Sequence, residues 1–216
     1  MKDKDHEILY FVREFHLITE KQLAELTGRR TLWRRLPVLT AEKKLYRKRR
    51  SVYAPFVYAA HNIIKRTQFE HDLMITEIHI ALYKTGRLVD WRQSTQKLKG
   101  ALNEDAFCAI SAGSRQLRCF IEADNASEPD WQIREKVERY IAYHQETRER
   151  FRTLFVAPDD RRSCDLLRAA RRVVTPDTSR IFLFVGLGDY KRDCLGPVCR
   201  LADDQQLVPM VPIKAV

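Results

Sequence analysis

Two apolar runs, residues 105–111 and 116–124, flank the dipeptide Gly113-Ser114. Glycine punctuation between two β-forming runs is the signal of an antiparallel hairpin. In such a pair the start of one strand lies beside the end of the other. Asp105 opens the first run, and Glu122 and Asp124 close the second. Side chains two apart on a strand share a face, so Glu122 and Asp124 should project together and meet Asp105, with Phe120 and Ile121 deeper in the fold. Three carboxylates at one point repel unless a cation joins them. Hard oxygen ligands of this kind suit Mg²⁺ or Mn²⁺.

The flanking pattern surrounds that hairpin with alternating elements. A helix is expected over residues 69–85, with Leu73, Ile78, Ala81 and Leu82 as its buried stripe and Gly86 as its stop. A strand follows at 88–93, making a three-strand meander with the hairpin. The spacing then predicts a helix over 129–145, opened by Glu128, Pro129 and Asp130, all favoured in a first turn. Lys136 and Tyr140 are four apart and share a face of it, with His144 one turn further. A strand at 151–157, a helix at 163–174 and a strand at 180–187 complete the series. From Asp189 onward, with Pro197, Pro209 and Pro212, the chain reads as an extended, packed-down tail without regular structure.

The N-terminal third differs in charge. Net charge is +10 over 216 residues, and residues 1–66 hold sixteen Lys/Arg against seven Asp/Glu, leaving the rest almost neutral. A concentrated basic surface beside a neutral domain reads as a polyanion-binding module joined to something else. Ile8, Leu9, Val12 and Phe15 recur at helical spacing over residues 4–16. Thr19 with Gln22 makes a capping box for a second helix, with Leu23 and Leu26 inward and Gly28 as its stop. A third helix covers about 31–43 through Leu32, Leu36 and Leu39, and Pro37 either kinks it or starts a new one. Residues 45–50 and 51–58 then have strand character around a basic turn. Three helices and a basic hairpin is the order of a winged helix-turn-helix, in which the last helix enters the major groove and the hairpin lies along the backbone. Arg29, Arg30, Arg34 and Arg35 crowd the expected recognition helix, and Lys43, Lys44, Arg47, Lys48, Arg49 and Arg50 the wing. Arginine can fork onto guanine edges, while most such contacts reach phosphate, and phosphate is expected for the wing. Double-stranded DNA is the expected partner.

Several chemistries have no support. No apolar stretch approaches the ~20 residues of a membrane span, and Met1 to His6 lead straight into a helical pattern without a secretory signal. The five cysteines include no Cys-x-x-Cys and are odd in number, which fits reduced thiols in a cytoplasm. The six histidines lack metal-ligand spacing. Gly186-Leu187-Gly188 has no phosphate-loop Lys-Ser/Thr in phase. Arg161 and Arg162 read as solvated helix-end residues or an extension of a DNA path.

The stretches from Ile8 to Leu26, the basic hairpin, His71-Asp72-Leu73, Asn103-Glu104-Asp105, Phe120-Ile121-Glu122-Ala123-Asp124 and Lys136-Val137-Glu138-Arg139-Tyr140 carry a resemblance. Over residues 5–190 the chain resembles the replication-relaxation proteins of plasmids and other conjugative elements. The resemblance implies an α+β chain: a winged helix-turn-helix at 1–66, an α/β PD-(D/E)XK nuclease-like domain with a mixed sheet at 67–190, and an extended tail at 191–216. It implies a site in which Asp105, Glu122 and Asp124 hold Mg²⁺ or Mn²⁺, Lys136 assists, and His71 and Tyr140 stand behind them or touch phosphate. The sequence departs from the nuclease pattern twice. Glu104-Asp105 stands for Pro-Asp, which keeps the ligand. Asp124 stands where the catalytic lysine belongs, which removes the cation that would orient water and stabilise phosphate charge. Two readings follow: an active metal-dependent endonuclease or nickase in which Lys136 supplies the ammonium, or a degenerate domain kept for DNA or protein contact. Either would serve replication, transfer or regulation of a mobile element, with relaxosome proteins or a second copy as further partners.

Overall fold

A computed structural model of the chain describes residues 3–28, 32–49, 51–61, 69–93, 102–202 and 206–211. The fold is mixed α+β, and the chain divides into two compact units, Met1–Thr76 and Glu77–Val216. The division falls ten residues beyond the expected junction at 66, inside a helix.

The first unit runs α1 (Asp3–Glu14), β1 (Leu17–Thr19), α2 (Glu20–Thr27), α3 (Leu32–Ala41), β2 (Tyr46–Lys48) and β3 (Val57–Ala59). The apolar residues at helical spacing make its core: Ile8, Val12, Phe15, Leu23, Leu36 and Leu39 are all sealed from solvent. Leu26, expected inward, is half-buried. The capping box forms as the sequence indicates. The Gln22 N–H donates to Thr19 Oγ1 at 3.2 Å, and the Thr19 N–H donates to Gln22 Oε1 at 2.7 Å. Gly28 ends the helix at φ +82°, a conformation glycine adopts without steric cost. Pro37 sits inside a continuous α3. The basic hairpin is real, with Arg47 opposite Tyr58. Its second strand also pairs with β1, a three-residue strand the sequence did not reveal, giving the sheet order β1-β3-β2.

Helix α4 (Phe69–Lys84) follows. Met74, Ile75, Ile78, Ile80 and Leu82 are buried, whereas Leu73 and Ala81 are only half-buried, so burial extends beyond the single expected stripe.

The second unit contains β4 (Leu88–Gln93), β5 (Ala106–Ala112), β6 (Arg115–Ala123), α5 (Asp130–Thr147), β7 (Phe151–Ala157), α6 (Asp160–Ala170), α7 (Pro176–Ser179), β8 (Phe182–Gly186), α8 (Leu187–Arg192), β9 (Cys199–Leu201) and β10 (Leu207–Val208). They form one mixed seven-stranded sheet ordered β10-β9-β8-β7-β6-β5-β4. The meander β4–β5–β6 is antiparallel, β6, β7 and β8 are parallel, and β9 and β10 return antiparallel. Parallel neighbours require crossovers, which α5 and α6 provide. Phe107, Phe120, Phe155, Phe182 and Phe184 pack with Ile133, Val137, Tyr140 and Leu166 of those helices. The alternate residues Ile110, Ile121, Leu154, Leu183 and Val185 point to the other face and are equally buried. Among the described residues from Asp189 onward, regular elements do form. The strand expected to reach residue 187 stops at Gly186, α8 starts there, and β9 and β10 widen the sheet despite the neighbouring prolines.

Candidate functional site

Glu122 lies one residue from the end of β6 and is 1% exposed. Tyr140, from α5, donates its hydroxyl to Glu122 Oε1 at 2.6 Å. Lys136, one turn earlier, places Nζ 2.9 Å from Oε2 and donates to Glu128 Oε1 at 2.8 Å. The helical spacing of Lys136 and Tyr140 thus converges on one carboxylate. Asp105 stands at the start of β5, and its Oδ2 accepts the Ala123 N–H at 2.8 Å while its own N–H donates to Ile121 O at 3.1 Å. The hairpin order therefore sets Asp105 beside the end of β6, where its charge acts on Glu122.

Burial, and then the Asp105 charge, push the Glu122 carboxyl up to about 7, against the pull of the Lys136 ammonium and the Tyr140 hydrogen bond. Burial works to lower Lys136, but Glu122, Asp105 and Glu128 together outweigh it and hold the ammonium above its ordinary value. Tyr140 is raised, chiefly by burial and then by Glu122, so it stays a neutral donor. The cluster is a buried acid poised near neutrality, clamped by one phenol and one ammonium.

Asp124 has a different partner. It is 2% exposed, its N–H donates to Val156 O at 2.9 Å, and its carboxylate accepts Arg162 Nε at 2.5 Å and Nη2 at 3.2 Å. Arg162 lies in the first turn of α6, where its N–H is capped by Asp159 Oδ1 at 2.8 Å. It also donates to the Glu128 backbone carbonyl at 2.5 Å. Glu128 therefore links the two ion pairs, through its side chain to Lys136 and its backbone to Arg162. The turn into α6 passes so close to the end of β8 that a Cβ on Gly186 would sit 3.0 Å from Asp159 C and Asp160 N.

Among the described residues no group of three or more His, Cys, Asp or Glu side chains is disposed to hold a metal ion. A buried carboxylate requires a partner, and Arg162 supplies one to Asp124. Asp105, Glu122, Lys136 and Tyr140 are brought together. His71 belongs to the first unit, with Nδ1 3.8 Å from Asp72 Oδ1. Arg162 and Glu128 were the members sequence reasoning did not include. The signal was there for Arg162, since Asp159 is a ready N-cap that fixes where the first turn of α6 begins.

The basic residues of the first unit divide as well. Arg35 forks onto the buried Asp5 with Nε and Nη2 both at 2.7 Å, so it ties α3 to α1 instead of facing outward. Lys44 pairs with Glu42 at 2.6 Å. Arg34 lies over the exposed Trp33 ring at 4.6 Å. Arg47 and Arg49 both lie over Phe56, at 4.7 and 4.6 Å, and Lys43 and Lys48 are exposed. Arg29, Arg30 and Arg50 fall outside the described residues.

Residues 57–156 match the family model for replication-relaxation. Over this segment the chain is similar to the replication-relaxation family. The match runs from β3 to β7 and includes Asp105, Glu122, Asp124, Lys136 and Tyr140. No curated protein and no solved structure matches the chain. No helix among the described residues is long and apolar enough to cross a membrane.

Proposed function

We propose that this chain is a replication-relaxation protein, a cytoplasmic DNA-binding protein of a mobile element that acts in its replication, transfer or regulation. The first unit is a winged helix that docks duplex DNA. The second is a PD-(D/E)XK-like domain whose nuclease centre is degenerate. The observation that carries the reading is the order α1-β1-α2-α3-β2-β3 with the sheet β1-β3-β2, together with a β2 arm that presents Arg47, Lys48 and Arg49. Arg34 on α3 joins them, and Arg29, Arg30 and Arg50 complete the basic set by sequence. Degeneracy is supported by Asp124, at the position of the catalytic lysine, being closed off by Arg162. A second copy or other relaxosome proteins are further partners in this reading.

Titration of a fluorescent duplex at several salt concentrations tests it. Binding should weaken steeply with salt, and Arg49→Ala should weaken it across sequences and reduce the log–log slope by about 1. Unchanged affinity and slope in Arg49→Ala would reject the winged-helix docking. No nicking of supercoiled plasmid with Mg²⁺ or Mn²⁺ is expected.

One observation favours the active-endonuclease reading: Glu122, Asp105 and Lys136 act on one another at one point. Asp105 and Glu122 would then hold Mg²⁺ or Mn²⁺, which supplies a polarised phosphodiester and an activated water. Nicking that both Asp105→Ala and Glu122→Ala abolish, with DNA binding intact, would establish it.

A further inference from the structure

The β2–β3 loop ends in two apolar side chains that the fold does not use. Tyr53 is 97% exposed and Val52 is 72% exposed, at the tip of an arm whose base is buried at Val57, Tyr58 and Ala59. The tip is braced. Arg49 Nη1 donates to the Val52 carbonyl at 2.8 Å, and both Arg49 and Arg47 rest on the Phe56 ring. A solvated loop tip has no folding reason to present a tyrosine and a valine side by side. Resting the arginines on a ring also limits the freedom they would lose on binding.

We propose that Val52 and Tyr53 form a wedge that enters the minor groove of duplex DNA and parts a base step, while Arg47, Lys48 and Arg49 hold the flanking phosphates. This rests on the DNA-docking reading above and adds to it a contact with the bases. Apolar side chains inserted between base steps unstack them and kink the duplex, at a cost offset by the contacts the bend allows. Flexible pyrimidine–purine steps yield most easily. Charge complementarity favours a polyanion, and the small size of the tip favours DNA over a membrane. Interfacial binding scales with buried apolar area, and two side chains offer little of it. A base step needs only that much.

The test uses the full chain and duplexes carrying 2-aminopurine at TA and CA steps, which brightens on unstacking. Wild type should bind and brighten the probe. Tyr53→Ala should lose most of the brightening and bind roughly tenfold more weakly with the same salt slope, as expected for loss of one stacked base contact. Tyr53→Trp should restore both. An unchanged urea midpoint would show that Tyr53→Ala is folded. Binding without brightening, or Tyr53→Ala indistinguishable from wild type, overturns the wedge and leaves DNA docking standing. Failure of wild type to bind duplex overturns both. Tyr53-dependent binding to anionic phosphatidylserine vesicles, with no effect of Tyr53→Ala on DNA, also overturns the wedge.

Discussion

The two units handle charge in opposite ways. In the second, the acids at the ends of β5 and β6 are met from within: Lys136 and Tyr140 close on Glu122, and Arg162 closes on Asp124. In the first, most of the described basic residues of α3 and the hairpin stand at the surface, and several are braced by aromatic rings instead of carboxylates. A guanidinium resting on a ring keeps its charge available to an outside anion. One forked onto a buried carboxylate does not. The difference separates a surface whose cations face solvent, as the proposed DNA docking requires, from a site whose charges hold the fold together.

The largest expected effect tests the internal half of that contrast. Arg162→Ala leaves Asp124 buried without its cation, and should lower the free energy of unfolding by about 3 kcal/mol in a urea titration, as for one half of a buried pair. Arg35→Ala should act in the same direction, because Asp5 is buried beneath it. That result would remove Arg35 from the DNA-facing set. A negligible loss in Arg162→Ala would mean that Asp124 is readily solvated and open to other partners, which would break the comparison.

Glu122 gives a second handle, in pH. Its folded value is raised to about 7, above the value for an unfolded chain. A raised carboxyl contributes stability that is fully present at low pH and lost as pH climbs through the folded value. Between pH 5 and 8 this should cost the protein about 2 kcal/mol, taking 1.36 kcal/mol per unit. Glu122→Gln cannot titrate and should flatten that slope, whatever it does to absolute stability. A slope identical to wild type would mean that another group carries the dependence.

How much of this was legible depended on sequence distance. Strand β7 and the turn at Gly113 were plain, because an apolar run and a glycine are local signals. Asp105 beside Glu122 followed from hairpin order alone. Arg162 on Asp124 did not, because it requires the parallel β6–β7 crossover through α5 to bring the start of α6 to the end of β6. Strand β1 was too short for periodicity to register, and exists because β3 offers it an edge. Strands β9 and β10 are likewise short, with β10 at the edge of the sheet, in a stretch where prolines argued against pairing.

Smaller effects sharpen the surface half of the contrast. Thr19→Ala removes the capping box of α2, a structural interaction within the basic unit, and should cost about 1 kcal/mol. Arg49→Ala should stay within about 0.5 kcal/mol of wild type, since its partners are a ring and one exposed carbonyl. The value of the pair lies in reading stability and duplex affinity together. Thr19→Ala should lower the unfolding midpoint and, while folded, bind DNA with an unchanged salt slope. Arg49→Ala should leave the midpoint in place and change the slope. If Arg49→Ala instead unfolded the hairpin, its arginines would be structural, as Arg162 is in the second unit, and the distinction between the two halves of the chain would fail.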